Sequence, residues 1–136
     1  MGKVITPESI AGDTEDGEQL ALMCWCALNF KVYPDLRWLH HSPNGGYRNK
    51  REAGKFKAMG VKAGFPDLIL LIRRGTFSGL GIELKIPGLR DAKDGGAKPN
   101  QLLWAEHLRQ NGFGYKLCHG WIDARDTLIS YLEWKG

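Results

Sequence analysis

A continuous apolar run at residues 68–72 stands between Pro66-Asp67 and the pair Arg73-Arg74, within the stretch GFPDLILLIRRGTFSGLGIELKIPG. An unbroken run of this length predicts a strand buried on both faces. Residues 75–79 can turn the chain, and residues 80–86 read as the next strand, stopped by Pro87-Gly88. The two predict a hairpin inside a sheet, and a sheet buried on both faces needs helices to cover it.

Helical periodicity supplies those helices. Over residues 15–30, Leu22, Met23, Cys26, Ala27 and Phe30 recur at spacings of three and four, with Thr14 or Asp16 able to cap the start. Residues 37–41 read as a short first strand leading into the turn signal Ser42-Pro43-Asn44-Gly45-Gly46, and residues 50–59 as a second helix closed by Gly60. Residues 88–99 have little to bury and predict a mobile loop. Residues 100–111 predict a helix, 115–118 a strand, and 123–134 a final amphipathic helix carrying Leu128, Ile129 and Leu132. The order is helix, strand, helix, two strands, helix, strand, helix: an α/β chain with a small mixed central sheet flanked by helices. At 136 residues it has the size of one domain, 1–136, with residues 1–13 as a loose N-terminal arm.

Several classes fall away. No run approaches the roughly 18 apolar residues of a membrane span, and the start MGKVITPESI lacks the apolar stretch of a signal peptide, which predicts a cytoplasmic protein. Cys24, Cys26 and Cys118 are odd in number and lack CxxC spacing, so neither a disulfide framework nor a zinc site is indicated. Cys24 and Cys26 read as small core residues, and His40 and His41 as strand and turn residues.

The net charge of +4 is modest, but its distribution is not even. Arg48, Lys50, Arg51, Lys55, Lys57 and Lys62 face only Glu52 in their segment. Such a patch suits a polyanion, because each neutralised phosphate releases condensed counterions.

Chemistry concentrates on the hairpin. Glu83 and Lys85 are two apart in a strand and share a face, with Leu84 on the other. If the strands pair, Asp67 converges on that face. Two like charges about 4 Å apart at an effective dielectric near 20 repel by about 4 kcal/mol. Either one carboxyl then keeps its proton or a cation sits between them. Oxygen donors favour Mg²⁺ or Mn²⁺, and phosphodiester hydrolysis uses such an ion. Lys85 could orient or deprotonate the attacking water, or hold charge on the phosphorane.

The pieces EDGEQ, SPNGGYRNKREAGKFKAMGVKAGFPDL, GLGIELK, KPNQLLWAEHLRQNGFGYKLCHGW and a closing helix ending in YL extend in order over most of the chain. Together they resemble the PD-(D/E)XK nucleases and, within them, the VRR-NUC domain in its stand-alone phage form. The resemblance implies a restriction-endonuclease-like core. Asp67 and Glu83 would be metal ligands, with the Ile82 or Leu84 carbonyl completing the shell. Lys85 would be the catalytic lysine, and Gln101 would contact water or phosphate. The first helix would add one acid, Glu15 or Glu18. On an ideal wheel Glu15 lies about 40° and Glu18 about 100° from the centre of the apolar stripe, which slightly favours Glu15. Asn44, Gly45, Gly46 and Arg48 would form a loop beside the site, and Lys50, Arg51, Lys55, Lys57 and Lys62 a phosphate-tracking surface. The resemblance further implies a structure-specific endonuclease for branched DNA such as Holliday junctions, in phage replication, recombination or repair. A symmetric junction needs two cuts, which favours a homodimer, with Tyr131 and Trp134 as an exposed aromatic tail able to pair. The alternatives are a nicking or restriction-like nuclease on ordinary duplex or single strands, and a non-catalytic DNA-binding module.

Overall fold

The computed structural model describes residues 4–43 and 50–135; Asn44, Gly45, Gly46 and Arg48 lie outside them. Strands β1 (Leu39–His41), β2 (Leu68–Leu70), β3 (Leu80–Lys85) and β4 (Gly114–His119) form one sheet in that order. β1 pairs antiparallel with β2, β2 antiparallel with β3, and β3 parallel with β4. The hairpin expected from the apolar runs is therefore present, with Leu68 opposite Ile82.

Helices α2 (Glu15–Leu28) and α5 (Trp121–Glu133) cover one face, and α4 (Pro99–Gln110) covers the other. Leu22, Cys26, Leu68, Leu70, Ile82, Leu84 and Leu128 are fully buried in the core between sheet and α2/α5. Each such leucine contributes about 1.5–3 kcal/mol of transfer free energy. On the opposite face Gly81 leaves room for Leu108 of α4, Pro66 and Tyr115.

Several local expectations are corrected. β2 ends at Leu70, and Leu71 is exposed, because three-residue β1 gives β2 no neighbour beyond Leu39. The buried stripe of α2 runs through Glu18, Ala21, Leu22, Trp25 and Cys26, leaving Ala27 and Phe30 exposed. Its start is capped by the Thr14 hydroxyl, which accepts from Gly17 N. The arm contains a short helix, α1 (Pro7–Ile10), closed by reciprocal Thr6 and Ser9 hydrogen bonds, and Ile10 packs on the core. The stretch after β3 folds into two 3₁₀ turns, Pro87–Leu89 and Lys93–Gly96, and His119 Nε2 lies 2.8 Å from the Gly95 carbonyl oxygen. Tyr131 is buried, its hydroxyl donating to the Ile72 carbonyl, while Trp134 packs on Phe77. The aromatic tail is thus partly a core element. Burial pushes the Cys26 and Cys118 thiols up to about 12, as suits inert core residues.

Candidate active site

Asp67 precedes β2 by one residue, so hairpin pairing sets it beside Glu83 and Leu84 of β3. Its backbone N–H donates to Glu83 Oε2 at 3.2 Å, and its Oδ2 accepts from Leu84 N at 2.8 Å. These crossed bonds knit the acids of two strands into one unit. Glu83 and Lys85 share a face as alternation requires, and both are buried, at 3% and 5% exposure. Lys85 Nζ lies 3.9 Å from Glu83 Oε1 and 3.9 Å from Glu15 Oε1.

Gln101 completes the buried side. Its Nε2 donates to Glu83 Oε1 at 2.6 Å, and its Oε1 accepts from Lys98 N at 2.8 Å at the start of α4. Both ends of the amide are held, so it is at once a helix-start residue and a partner of Glu83. Gly64 makes this contact reachable. Its φ is +89°, and a Cβ there would lie 2.6 Å from the Asn100 carbonyl carbon, so only glycine lets this turn close onto α4.

Burial, followed by the charge of Asp67 and the hydrogen bond the two carboxyls share, pushes Glu83 up to about 8, while Lys85 opposes the shift. The two acids conflict when both are charged, which favours the protonated form of Glu83. An oxygen-seeking cation relieves the same conflict.

The first-helix acids separate cleanly. Glu15 lines a cleft of about 110 Å³ together with Asp16, Gln19, His41, Asp67 and Leu84. Glu18 is buried and faces elsewhere: its Oε1 accepts from Trp121 N at 3.1 Å, at the N-terminus of α5. Gly120, at φ +92°, admits that approach, since a Cβ would meet Glu18 Oε1 at 2.9 Å. Of the pair that the sequence left open, Glu15 is at the cleft and Glu18 caps a helix.

Three cleft residues, Asp16, Gln19 and His41, carry no site role in the sequence pattern. Gln19 lies one turn after Glu15 and so shares its side of α2, a signal the wheel carried. Asp16 had no signal beyond its neighbour. His41 was read as a strand or turn residue, and it is in β1. Its Nδ1 also lies 2.9 Å from the Asp67 carbonyl oxygen; a carbonyl only accepts, so Nδ1 carries the proton. The basic residues Lys50, Arg51, Lys55, Lys57 and Lys62 are all exposed, the first four on α3 (Lys50–Ala58), which buries no residue.

Among the described residues no three His, Cys, Asp or Glu side chains are grouped tightly enough to hold an ion alone. Asp67 and Glu83 are the available donor pair. Magnesium is commonly held by one or two carboxylates with water and substrate phosphate, so the set fits such an ion.

The VRR-NUC domain matches residues 14–121. A solved structure named "VRR_NUC domain protein" is 37% identical, with a TM-score of 0.73 over 91% of this chain and 92% of that one. The comparison with curated proteins finds no match. Glu15, Asp67, Glu83, Lys85 and Gln101 all fall inside the matched span, and this chain belongs to the VRR-NUC family, with the nuclease-type action on DNA that the family implies.

Proposed function

We propose that the chain is a metal-dependent, structure-specific endonuclease that hydrolyses phosphodiester bonds in branched DNA, working as a homodimer so that paired sites cut both strands of a symmetric junction. The supporting observation is the cross-bonded pair of half-buried Asp67 and buried Glu83, with buried Lys85 alongside. Asp67, Glu83 and the Leu84 carbonyl would hold Mg²⁺ or Mn²⁺. That ion supplies Lewis-acid polarisation of the phosphoryl group and neutralises charge at the leaving oxygen.

The chain's own groups do the rest. Gln101 fixes the Glu83 carboxyl, so the donor set costs little reorganisation when substrate arrives. Lys85, buried between Glu83 and Glu15, holds its ammonium where negative charge gathers on the phosphorane or where water must be oriented. Glu15 is exposed enough to meet solvent and substrate at the cleft. The basic residues of α3 and Lys62 track the backbone and contribute affinity without sequence preference.

Cleavage of a four-way junction, a flap and a linear duplex by the purified protein in Mg²⁺ or Mn²⁺ tests the reading. Faster cutting of the branched substrates is expected. Equal rates on all three would remove the branched-DNA assignment and leave a nicking or restriction-like nuclease. Sedimentation of the free protein tests the dimer.

A further inference from the structure

A groove walled by an aromatic ring adjoins the catalytic cleft along the chain. His41 and Pro43 line the cleft; Ser42 between them lines the groove, and its N–H donates to the Asp67 carbonyl at 2.9 Å. The groove encloses about 300 Å³ and is bounded by Ser42, Gly60, Val61, Lys62, Phe65 and Trp104. Trp104 stands one turn beyond Gln101 on α4, so the helix that braces Glu83 also carries the ring. Trp104 also borders a second hollow of about 280 Å³, together with Leu103 and His107.

The ring is fixed before any ligand arrives. Its indole N–H donates to the Ala63 carbonyl at 3.2 Å, and Phe65 meets it edge-on with centroids 5.0 Å apart. His107 meets it edge-on as well, at 5.8 Å. A half-buried tryptophan that borders two hollows and has little freedom left to lose is well prepared for stacking. The surrounding charge selects the guest. Lys62 is on the groove wall, and the basic residues of α3 precede it in the chain, with Glu52 and Glu106 as the neighbouring acids on α3 and α4.

We propose that this groove binds unpaired nucleotides of a DNA strand, with a base stacked on Trp104 and its phosphate near Lys62, next to the site of cleavage. Aromatic rings beside positive charge are how proteins hold single strands without reading sequence. An intact duplex keeps its base faces stacked inside and cannot use such a ring. The groove therefore directs the enzyme toward branched DNA that carries unpaired strands, such as flaps and forks, over linear duplex. This rests on the nuclease reading for its biological sense, but the binding itself does not require cleavage.

Short single strands carrying 2-aminopurine, titrated with the protein in chelator, test it directly, because stacking quenches that base. Quenching by the wild-type protein is expected, with affinity about ten- to a hundredfold weaker for Trp104→Ala and largely retained for Trp104→Phe. Lys62→Glu, on the surface, is expected to weaken single-strand binding several-fold and guards against misfolding of the alanine variant. In cleavage assays the flap-over-duplex preference should fall about tenfold in Trp104→Ala. No quenching at any base position by the wild-type protein, or an unchanged flap preference in folded Trp104→Ala, would overturn the proposal. Quenching without cleavage of any substrate would keep the groove and overturn the nuclease reading instead.

Discussion

Lys85 and the lysines of α3 carry the same charge in opposite surroundings. Lys85 is 5% exposed, on a strand buried along its whole length and set between Glu83 and Glu15. Lys50, Lys55 and Lys57 stand exposed on a helix that buries nothing. A core that packs at crystal-like density fixes the first amine in one place, whereas solvent screens the others and leaves them free to follow a polyanion. Chemistry should therefore be lost in a single step at the first region and affinity in small increments at the second.

The largest expected effect follows from removing the buried amine. Lys85→Ala should lower the cleavage rate by about a thousandfold or more, the scale of a lost transition-state charge contact, with DNA affinity held within about twofold. Parallel single-turnover and gel-shift measurements separate the two; a matched fall in both would erase the contrast.

Next come the two acids of α2. Glu18→Ala orphans the buried Trp121 N–H and should destabilise by about 1–3 kcal/mol, with Glu18→Gln recovering most of it. Glu15→Gln should slow cleavage about tenfold or more without moving the melting temperature. If Glu15 proves the stabilising residue and Glu18 the activity-determining one, their assignment is reversed. Gly64→Ala should cost about 1–2 kcal/mol from its left-handed backbone alone. It should also slow cleavage, since the added Cβ pushes the start of α4, and Gln101 with it, away from Glu83.

A smaller effect concerns pH. The Glu83 carboxyl is raised from 4.5 to about 8, so the metal-free fold favours its protonated form. The stability that this group contributes should then be full below about pH 4.5, decline as the pH rises toward 8, and be lost above it. Melting curves in chelator should show this slope in the wild type, and Glu83→Gln should flatten it. The smallest single-residue effects belong to α3. Lys55→Ala and Lys57→Ala should each reduce the salt slope of duplex binding by about 0.9 and leave stability within about 0.5 kcal/mol.

The buried half of the site was legible in the sequence because strand alternation is rigid: once the strands at residues 68–72 and 80–86 pair, Asp67, Glu83 and Lys85 have one arrangement available. The choice between Glu15 and Glu18 was harder, since a helical wheel gives angles but not what each angle meets. Trp121 N, 103 positions from Glu18, decides it. The buried stripe of α2 was misplaced for the same reason. Its apolar residues cover more of the helix than the core needs, and packing selects which side is used. His41 was missed because its part depends on β1 pairing with β2, a contact across 26 positions that no local pattern encodes. The 3₁₀ turns after β3 were read as a loop because their polar, Gly-rich sequence has no periodicity, and the His119 contact that ties them down is also long-range.

Cleavage of branched DNA by wild type and Asp67→Asn, first in chelator and then with Mg²⁺ or Mn²⁺ restored, puts the account at greatest risk. The wild type should be silent in chelator and recover with either ion, while Asp67→Asn binds DNA yet stays silent under both conditions. Undiminished cutting in chelator, or full recovery by Asp67→Asn, would contradict it.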